Sequence, residues 1–475
     1  MILTIHRGAK QIGGSCVELR AADGSRLLLD AGMPLARPDG SDWPRGTMTR
    51  PSAELRAEGV LPDIDGLYAD SSPAFCGLVL SHAHIDHHGL AHHVHPDVPV
   101  YASQGTIEML GVSRLFLPDA GVPADVRPLP QTDPVAIGSF TVRGIPVDHA
   151  APDSRALLVE ADGQRLLYSG DLRAHGRHPE LFRSLPDAAG SVDVLLLEGT
   201  TVGQAPGAHG FSSEEDVELR LAELLASNPG LVVVFASGQN VDRAVSVYRA
   251  AIKTGRQLVL DAYQAFVHLA LKDICVDIPQ FDSPSVRVKF VQSHVQKLKD
   301  AGLYSLACRT SGHRERKVTK EQLAAAPGEF VYLARASAAT VALLESLAKT
   351  TTPAIVWSQW SGYLRKGGAV PDFCAKQGIE PVLVHSGGHA YPEDLAELVR
   401  RLRPAAVVPI HTEAASQFAG LMPNVRLVGD GEAVDVAELV KEPKRSAVRV
   451  TLVPGKAAVE AADDPEKLDA LYREI

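Results

Sequence analysis

Cysteine is scarce in this chain. The five present (Cys16, Cys76, Cys275, Cys308 and Cys374) are odd in number, scattered and never in C-x-x-C spacing. That excludes a disulfide framework, argues against a cysteine-type structural zinc site, and fits free thiols in a reducing cytoplasm. Aromatic residues make up only 5% of the chain, and no RNP motif, GXXG clamp or aromatic platform for bases stands out. No apolar stretch approaches the roughly 20 residues that span a bilayer, so no membrane partner is expected. The N-terminus, MILTIHRGAKQIGG, lacks the apolar core of a signal peptide and reads as a strand running into a glycine turn. Net basic charge is also missing: the formal charge of −10 excludes a general basic nucleic-acid binder. Neither a P-loop nor a Ser-His-Asp or Cys-His nucleophile arrangement is visible.

What is present is an ordinary globular composition, 45% hydrophobic and 22% charged over 475 residues, enough for two or three domains. Short apolar runs alternate with Leu/Ala/Glu-rich helical stretches, an α/β pattern. The chemistry lies at the ends of those runs. CGLVLS is followed by His82, His84, Asp86 and His87. FTVRGIPVD leads to His149, QRLLYSG to Asp171, VDVLLL to Glu198, PVLVHSGG to His389 and AAVVPI to His411. Ligands of α/β sheets bind outside the carboxyl ends of the strands, so these groups are expected to converge on one site.

Imidazole with carboxylate suits zinc, with manganese and iron as rivals, whereas calcium would want oxygen alone. In extended backbone His82 and His84 project to the same side, and Asp86 and His87 sit one turn further, where a helix begins. The inventory is too large for one tetrahedral zinc. Two metals bridged by a carboxylate and a water use all of it. A lone histidine is usually a satisfied core or surface residue, but that reading does not account for a set repeated at strand ends. His88, His92 and His95 fall at helical spacing after the signature and read as an ordinary histidine-bearing helix face, while His209 and His313 read as solvated.

SHAHIDHHG resembles the H-x-H-x-D-H signature of the metallo-β-lactamase fold, with Asp30 in LLLDAGM matching its early strand-end aspartate. LLLEGT, SGGHA and VPIHTE resemble motifs A, B and C of the β-CASP nucleases, the group of ribonuclease J and of the cleavage-and-polyadenylation endonuclease. The resemblance implies an αββα sandwich of α/β class with an inserted α/β cap. It implies that His82, His84 and His149 hold one metal, that Asp86, His87 and His411 hold the other, and that Asp171 bridges. Glu198 and His389, with Asp86, are the implied catalytic residues, and Asp30 stands behind the ligands. FASGQNVDR is similar to a stretch of ribonuclease J and places Arg243 at its arginine. Arg243, Ser358, Ser386 and His175 are the candidate substrate contacts. Two features depart from ribonuclease J: Gly387 and Gly388 precede His389 where it usually has Ser-Gly, and motif A is glutamate. Only 64 residues follow His411, fewer than the extra domain of many ribonucleases J.

The expected domains are a first lactamase segment over 1–204, the cap over 205–365 and a second lactamase segment over 366–475. VGQAPGAHGFSSEED makes the boundary, with a helix N-cap at its end. The cap holds 18 basic and 15 acidic residues (+3) and the remainder 29 and 42 (−13). Within 286–320 nine basic residues face two acids (Asp300 and Glu315), which suits a threaded single strand over an acidic body. The expected activity is metal-dependent phosphodiester hydrolysis, on single-stranded RNA in preference to DNA. Its cofactors are two Zn2+ ions, with Mn2+ as the rival. A bridging hydroxide, ionised at a pKa of about 7, attacks while two ions about 3.5–4 Å apart clamp the phosphate. His389, oriented by Glu198, protonates the leaving oxygen. A small-substrate hydrolase of the same fold, a DNA nuclease and a non-catalytic β-CASP scaffold stay open, as do endonuclease and 5′-exonuclease action. A homodimer is compatible with all of these.

Overall fold

Strands buried on both faces decide the architecture. The structure is a computed structural model that describes residues 1–117, 119–204, 210–305 and 316–441, and the backbone alone of 447–453 and 456–462. One sheet has seven strands, in the order Ala433–Asp435, Ile2–Arg7, Cys16–Arg20, Arg26–Leu29, Gly77–Val79, Val100–Ala102 and Arg127–Pro128. A second has six: Ala406–Ile410, Val194–Glu198, Gln164–Tyr168, Arg155–Ala161, Phe140–Pro146 and Val135–Ile137. Side chains alternate along each strand with period two, so each strand serves two cores. Leu195 and Leu197 pack under the helices Pro179–Ala189 and Pro392–Leu402, while Val194, Leu196 and Glu198 are buried on the other face. Leu28 and Leu78 share a core with Leu55 of the helix Ser52–Ala57 and Leu110 of the helix Gln104–Phe116, while Leu27, Leu29 and Val79 are buried opposite.

The inner faces of the two sheets meet. A Cβ on Gly77 would come within 2.7 Å of the Ile137 side chain of the other sheet, and the Tyr168 hydroxyl donates across the gap to Asp30 at 2.8 Å. The result is the αββα sandwich, with Asp30, His82, His149, Asp171, Glu198 and His411 all just at or beyond strand ends.

A third sheet is wholly parallel, as the doubly buried runs GLVVVFAS and RQLVLDAY require. Its order is Val286–Lys289, Gln257–Asp261, Phe330–Ala334, Val232–Phe235, Ala354–Trp357 and Val382–Leu383. This corrects the boundary expected at 365. The edge strand Val382–Leu383 pairs with Ala354–Trp357, and the helix Ala369–Gln377 puts Val370, Phe373 and Cys374 into the cap core. The glycine pair Gly367-Gly368 merely separates two short helices. It follows that the strand before His389 is an exposed edge strand of the cap, not a buried lactamase strand.

The expected start at 205 lies outside the described residues, but Ser213 caps the helix Glu214–Ser227 by accepting from the Asp216 amide, as read. The cap's two connections run side by side: Phe211 N donates to the His385 carbonyl at 2.8 Å, and Gly210 bridges Ser386. Only glycine fits there, since a Cβ on Gly210 would sit 2.1 Å from that carbonyl oxygen at a φ of +82°.

The second lactamase segment also ends before 475. Val440–Ile475 forms a separate unit, whose described backbone is the hairpin Ala447–Val453 with Lys456–Ala462. Cys16, Cys76, Cys275 and Cys374 are free thiols, and Cys308 lies outside the described residues. Among the described residues no helix is long and apolar enough to cross a membrane.

Candidate metal centre

The H-x-H-x-D-H segment leaves its strand extended and turns into the short helix Ile85–His88 at His84, whose backbone (φ −78°, ψ 146°) is still β-like. This change of period aims His82 and His84 at one point and Asp86 and His87 at another. His82, His84, His149 and Asp171 form one group of ligand atoms within 4.8 Å of one another, and Asp86, His87, Asp171 and His411 form a second. Asp171 belongs to both. Its Oδ2 lies 3.5 Å from His82 Nε2, 3.2 Å from His87 Nε2 and 3.8 Å from His149 Nε2, while Oδ1 lies 3.8 Å from His411 Nδ1. His411 Nε2 lies 3.2 Å from Asp86 Oδ2.

Hydrogen bonds behind these groups set the imidazole orientations. His87 Nδ1 donates to Asp30 Oδ2 at 2.7 Å and His149 Nδ1 to the Gly388 carbonyl at 2.5 Å, which leaves both Nε2 atoms facing inward. His82 Nδ1 meets Ser81 Oγ at 3.0 Å, and His411 Nδ1 meets Thr200 Oγ1 at 2.8 Å. Asp30 also accepts from Ser81 N at 2.7 Å and from Tyr168. Asp30 (φ 57°) and His411 (φ 54°) both hold left-handed backbone, a conformation that costs free energy in a non-glycine residue. Ser81, Tyr168 and Thr200 were not singled out by motif; Thr200, two residues after Glu198, and Tyr168, on the inner face of its strand, were the available signals.

Charge at the pocket is unbalanced. Asp30, Asp86, Asp171 and Glu198 are all buried, and their described ion-pair partners are all histidines. Burial, reinforced by neighbouring imidazoles, pushes His82 and His149 well below their ordinary range, the neutral form a metal ligand needs. At His87 burial acts the same way, but Asp171, Asp30 and Asp86 outweigh it and push that imidazole well up. His82 Nε2, His87 Nε2 and Asp171 Oδ1 are buried without a hydrogen-bond partner. Buried polar atoms aimed at one space without partners fit divalent cations.

Glu198 Oε1 lies 3.3 Å from His389 Nδ1, and Oε2 accepts from Thr200 N at 3.0 Å. Burial opposes protonation of His389, but Glu198 and Asp171 hold its imidazole up to about 9. Its side chain is 23% exposed, so it can meet a substrate while Glu198, at 0%, cannot. His389 also forms a third ligand-like group with Asp171, Glu198 and His411.

The candidate substrate contacts are placed elsewhere. Arg243, Ser358 and Ser386 are buried at 0%, 1% and 1% exposure, at the root of the cap. Arg243 Nη2 pairs with Glu214 at 2.6 Å, its Nη1 donates to the Ser358 carbonyl at 2.8 Å, and Ser386 Oγ donates to Glu214 at 3.1 Å. Arg173 pairs there with Asp148 at 3.0 Å and also with Asp242. A buried carboxylate must keep its cation, so these groups fasten the cap instead of reaching substrate. His175 stacks flat on Tyr391 (centroids 4.3 Å apart, 1° between planes), and its Nε2 donates to the Gly387 carbonyl at 3.1 Å. It holds the turn that carries His389.

His88, His92 and His95 do not share a helix. The helix stops at His88, and His92, in the turn Ala91–His93, donates to the Met48 carbonyl at 2.8 Å. Of the basic segment, Arg309 and Arg314 lie outside the described residues, as do His209 and His313. Arg316 is used internally, donating to the Ser283 carbonyl at 2.6 Å, and Lys297 donates to the Phe116 carbonyl of the lactamase part. The cap sits against the metal loop: Ala83, between two ligand candidates, shares a core with Val241 and Tyr263 of the cap.

Comparison with known proteins agrees with this geometry. Residues 51–226 match the family model described as "Beta-lactamase superfamily domain". The chain is 27% identical over 426 residues to the ribonuclease J of Sinorhizobium meliloti, covering 82% of this chain and 68% of that one. It is 24% identical to the ribonuclease J of Mycobacterium tuberculosis, covering 85% and 68%, and 24% identical to the probable RNase MJ4 of Methanocaldococcus jannaschii, covering 58% and 60%. A solved protein of unknown function from Enterococcus faecalis superposes with a TM-score of 0.71 at 23% identity, over 91% of this chain and 99% of that one, and shares the fold. Residues 51–226 thus match a β-lactamase-superfamily domain, and the two-sheet sandwich around them is consistent with the metallo-β-lactamase fold carrying an inserted domain. Within that class the chain is ribonuclease J-like, with the β-CASP pattern of motifs.

Proposed function

We propose that this chain is a metal-dependent nuclease that hydrolyses phosphodiester bonds of single-stranded RNA. The observation that carries it is the pocket of four buried carboxylates with histidine partners only, together with unpartnered His82 Nε2, His87 Nε2 and Asp171 Oδ1. His82, His84, His149 and Asp171 would hold one ion, and Asp86, His87, His411 and Asp171 the other; zinc is the expected metal and manganese its rival. Bound there, the ions supply a nucleophile at neutral pH and positive charge for the phosphoryl oxygens. Asp30, Ser81, Thr200 and the Gly388 carbonyl hold the ligand rings in register. His389, charged by Glu198, gives its proton to the leaving oxygen. The relatives called ribonuclease J favour RNA over DNA, and the full complement of ligand residues argues against a non-catalytic scaffold. The test is elemental analysis of the purified protein, then incubation with end-labelled single-stranded RNA and DNA in zinc or manganese. Close to two ions per chain and metal-dependent cleavage of RNA are expected; the product ends assign endonuclease or 5′-exonuclease action. A metal-free protein, or cleavage indifferent to chelators, overturns the proposal. The group formed by Asp171, Glu198, His389 and His411 supports a second reading, in which His389 is itself a ligand.

A further inference from the structure

Eleven large hydrophobic residues are exposed among the described residues, and the only aromatic ones are Trp360 (48%) and Tyr363 (52%). Both stand where the cap strand Ala354–Trp357 runs into the helix Ser361–Arg365, beyond the carboxyl end of a parallel sheet, the edge at which such sheets take ligands. Neither ring is loose. A Cβ on Gly362 would lie 2.2 Å from two indole carbons, so the Trp360 ring rests one face on a backbone that glycine alone leaves bare. Tyr363 meets its edge at 89° and 5.4 Å, and Trp357 Nε1 donates to the Trp360 carbonyl at 3.2 Å.

This pair lies on the side of the cap that meets the lactamase part. Lys366, next to the pair, reaches Asp42 of the lactamase part at 3.2 Å. Two exposed aliphatic residues flank the lactamase side: Ile85, between His84 and Asp86, and Leu35, which borders Gly13 together with Asp86. Arg365 and Lys366 add exposed cations within three residues of Tyr363.

We propose that Trp360 and Tyr363 form a stacking platform for the bases of the strand entering the metal site, an inference that rests on the nuclease function above. Preordered, half-exposed rings beside basic side chains are what sequence-tolerant single-strand binding uses, because every base has a π-face while the cations follow the backbone. A low aromatic content does not stand against this, because two rings packed on each other, one of them resting on Gly362, suffice. Specificity at this position is then for any base over no base.

Steady-state cleavage of single-stranded RNA by the metal-loaded full chain tests this. Trp360→Ala and Tyr363→Ala should each lower kcat/KM by about 10-fold, chiefly through KM, with metal content unchanged, and Trp360→Phe should keep most of the wild-type value. On a strand abasic around the scissile position the wild type should fall to the level of Trp360→Ala, and the substitution should cost nothing further. Equal losses on abasic and base-bearing strands, or no change in KM for either alanine variant, overturn the platform while leaving the nuclease function standing. No cleavage of RNA by the wild type overturns both.

Discussion

Two buried acidic clusters, the metal pocket and the root of the cap, are both built on buried aspartate and glutamate and differ in the cations that answer them. At the root, Glu214, Asp148 and Asp242 meet Arg243 and Arg173, which are fully buried. Burial would raise the Glu214 carboxyl, but Arg243 and Arg173 outweigh it and hold it far below the ordinary range. At the pocket, Asp171 and Asp86 meet only imidazoles. Arginine keeps its charge under all ordinary conditions, so the root is a permanent joint. Histidine can give up its proton, so the pocket can exchange protons for metal ions. Burial alone therefore does not mark a functional acid; the kind of cation opposite it does.

The largest expected effect breaks the pocket. Asp171→Ala should remove both ions and abolish hydrolysis, exceeding the roughly 10- to 100-fold loss that follows when only the hydrogen bonds behind metal ligands are removed. Elemental analysis and RNA cleavage check it, and retention of two ions would deny Asp171 its shared place. Next in size, His389→Ala should keep both ions and slow cleavage by roughly 10²- to 10⁴-fold, whereas His411→Ala should lose one ion. Glu198→Gln should slow the reaction as well, and the double variant should fall short of the product of the two losses because coupled groups are not additive. Cleavage should also decline as pH rises through the His389 pKa (about 9 without ions, lower beside them), and His389→Ala should lack that decline. Loss of an ion in His389→Ala would favour its reading as a ligand.

At the root the readout should be stability. Arg243→Ala removes the nearest cation from buried Glu214, leaving Arg173 at 3.7 Å and two serine hydroxyls to answer it, and should cost about 3–5 kcal/mol in urea unfolding, with KM for RNA unchanged in the protein that stays folded. A raised KM without loss of stability would restore Arg243 to substrate binding. The smallest effect sharpens the contrast at a third acid. Burial pushes Glu18 up, but hydrogen bonds from His6 and Arg26 outweigh it and hold its carboxyl at about 2. A depressed carboxylate stabilises the fold above its unfolded pKa of about 4.3 and loses that contribution as pH falls towards 2. Acid unfolding of Glu18→Gln should therefore be slightly less steep over that window, and an unaltered slope would remove Glu18 from the acid transition.

Much of the pocket was legible because its residues stand at strand ends, where period-two runs stop and histidines begin. Local sequence carries that signal: His82, His84, Asp86 and His87 lie within six residues, and each later member follows its own apolar run. The joint was not legible. Arg243 and Glu214 are 29 residues apart, and Arg243 bonds Ser358 across 115, with nothing local to separate a buried strut from a substrate contact. The cap boundary at 365 failed for a related reason: placing the cap between motifs A and B says nothing of which sheet the strand Val382–Leu383 joins, and that pairing is made with Ala354–Trp357.

By itself, then, the sequence determined an α/β pattern and a set of histidines and carboxylates at strand ends, because backbone periodicity and residue chemistry are local properties, while the αββα sandwich and the pairing of Glu198 with His389 were what the resemblance implied. Only the tertiary structure decided that Thr200 and Gly388 back the His411 and His149 rings, that the cap runs to Val384, and that Arg243, Ser358, Ser386 and His175 brace the molecule. Those roles depend on which distant segments are packed together and which charges are left without water, and no stretch of sequence read alone contains its own neighbours.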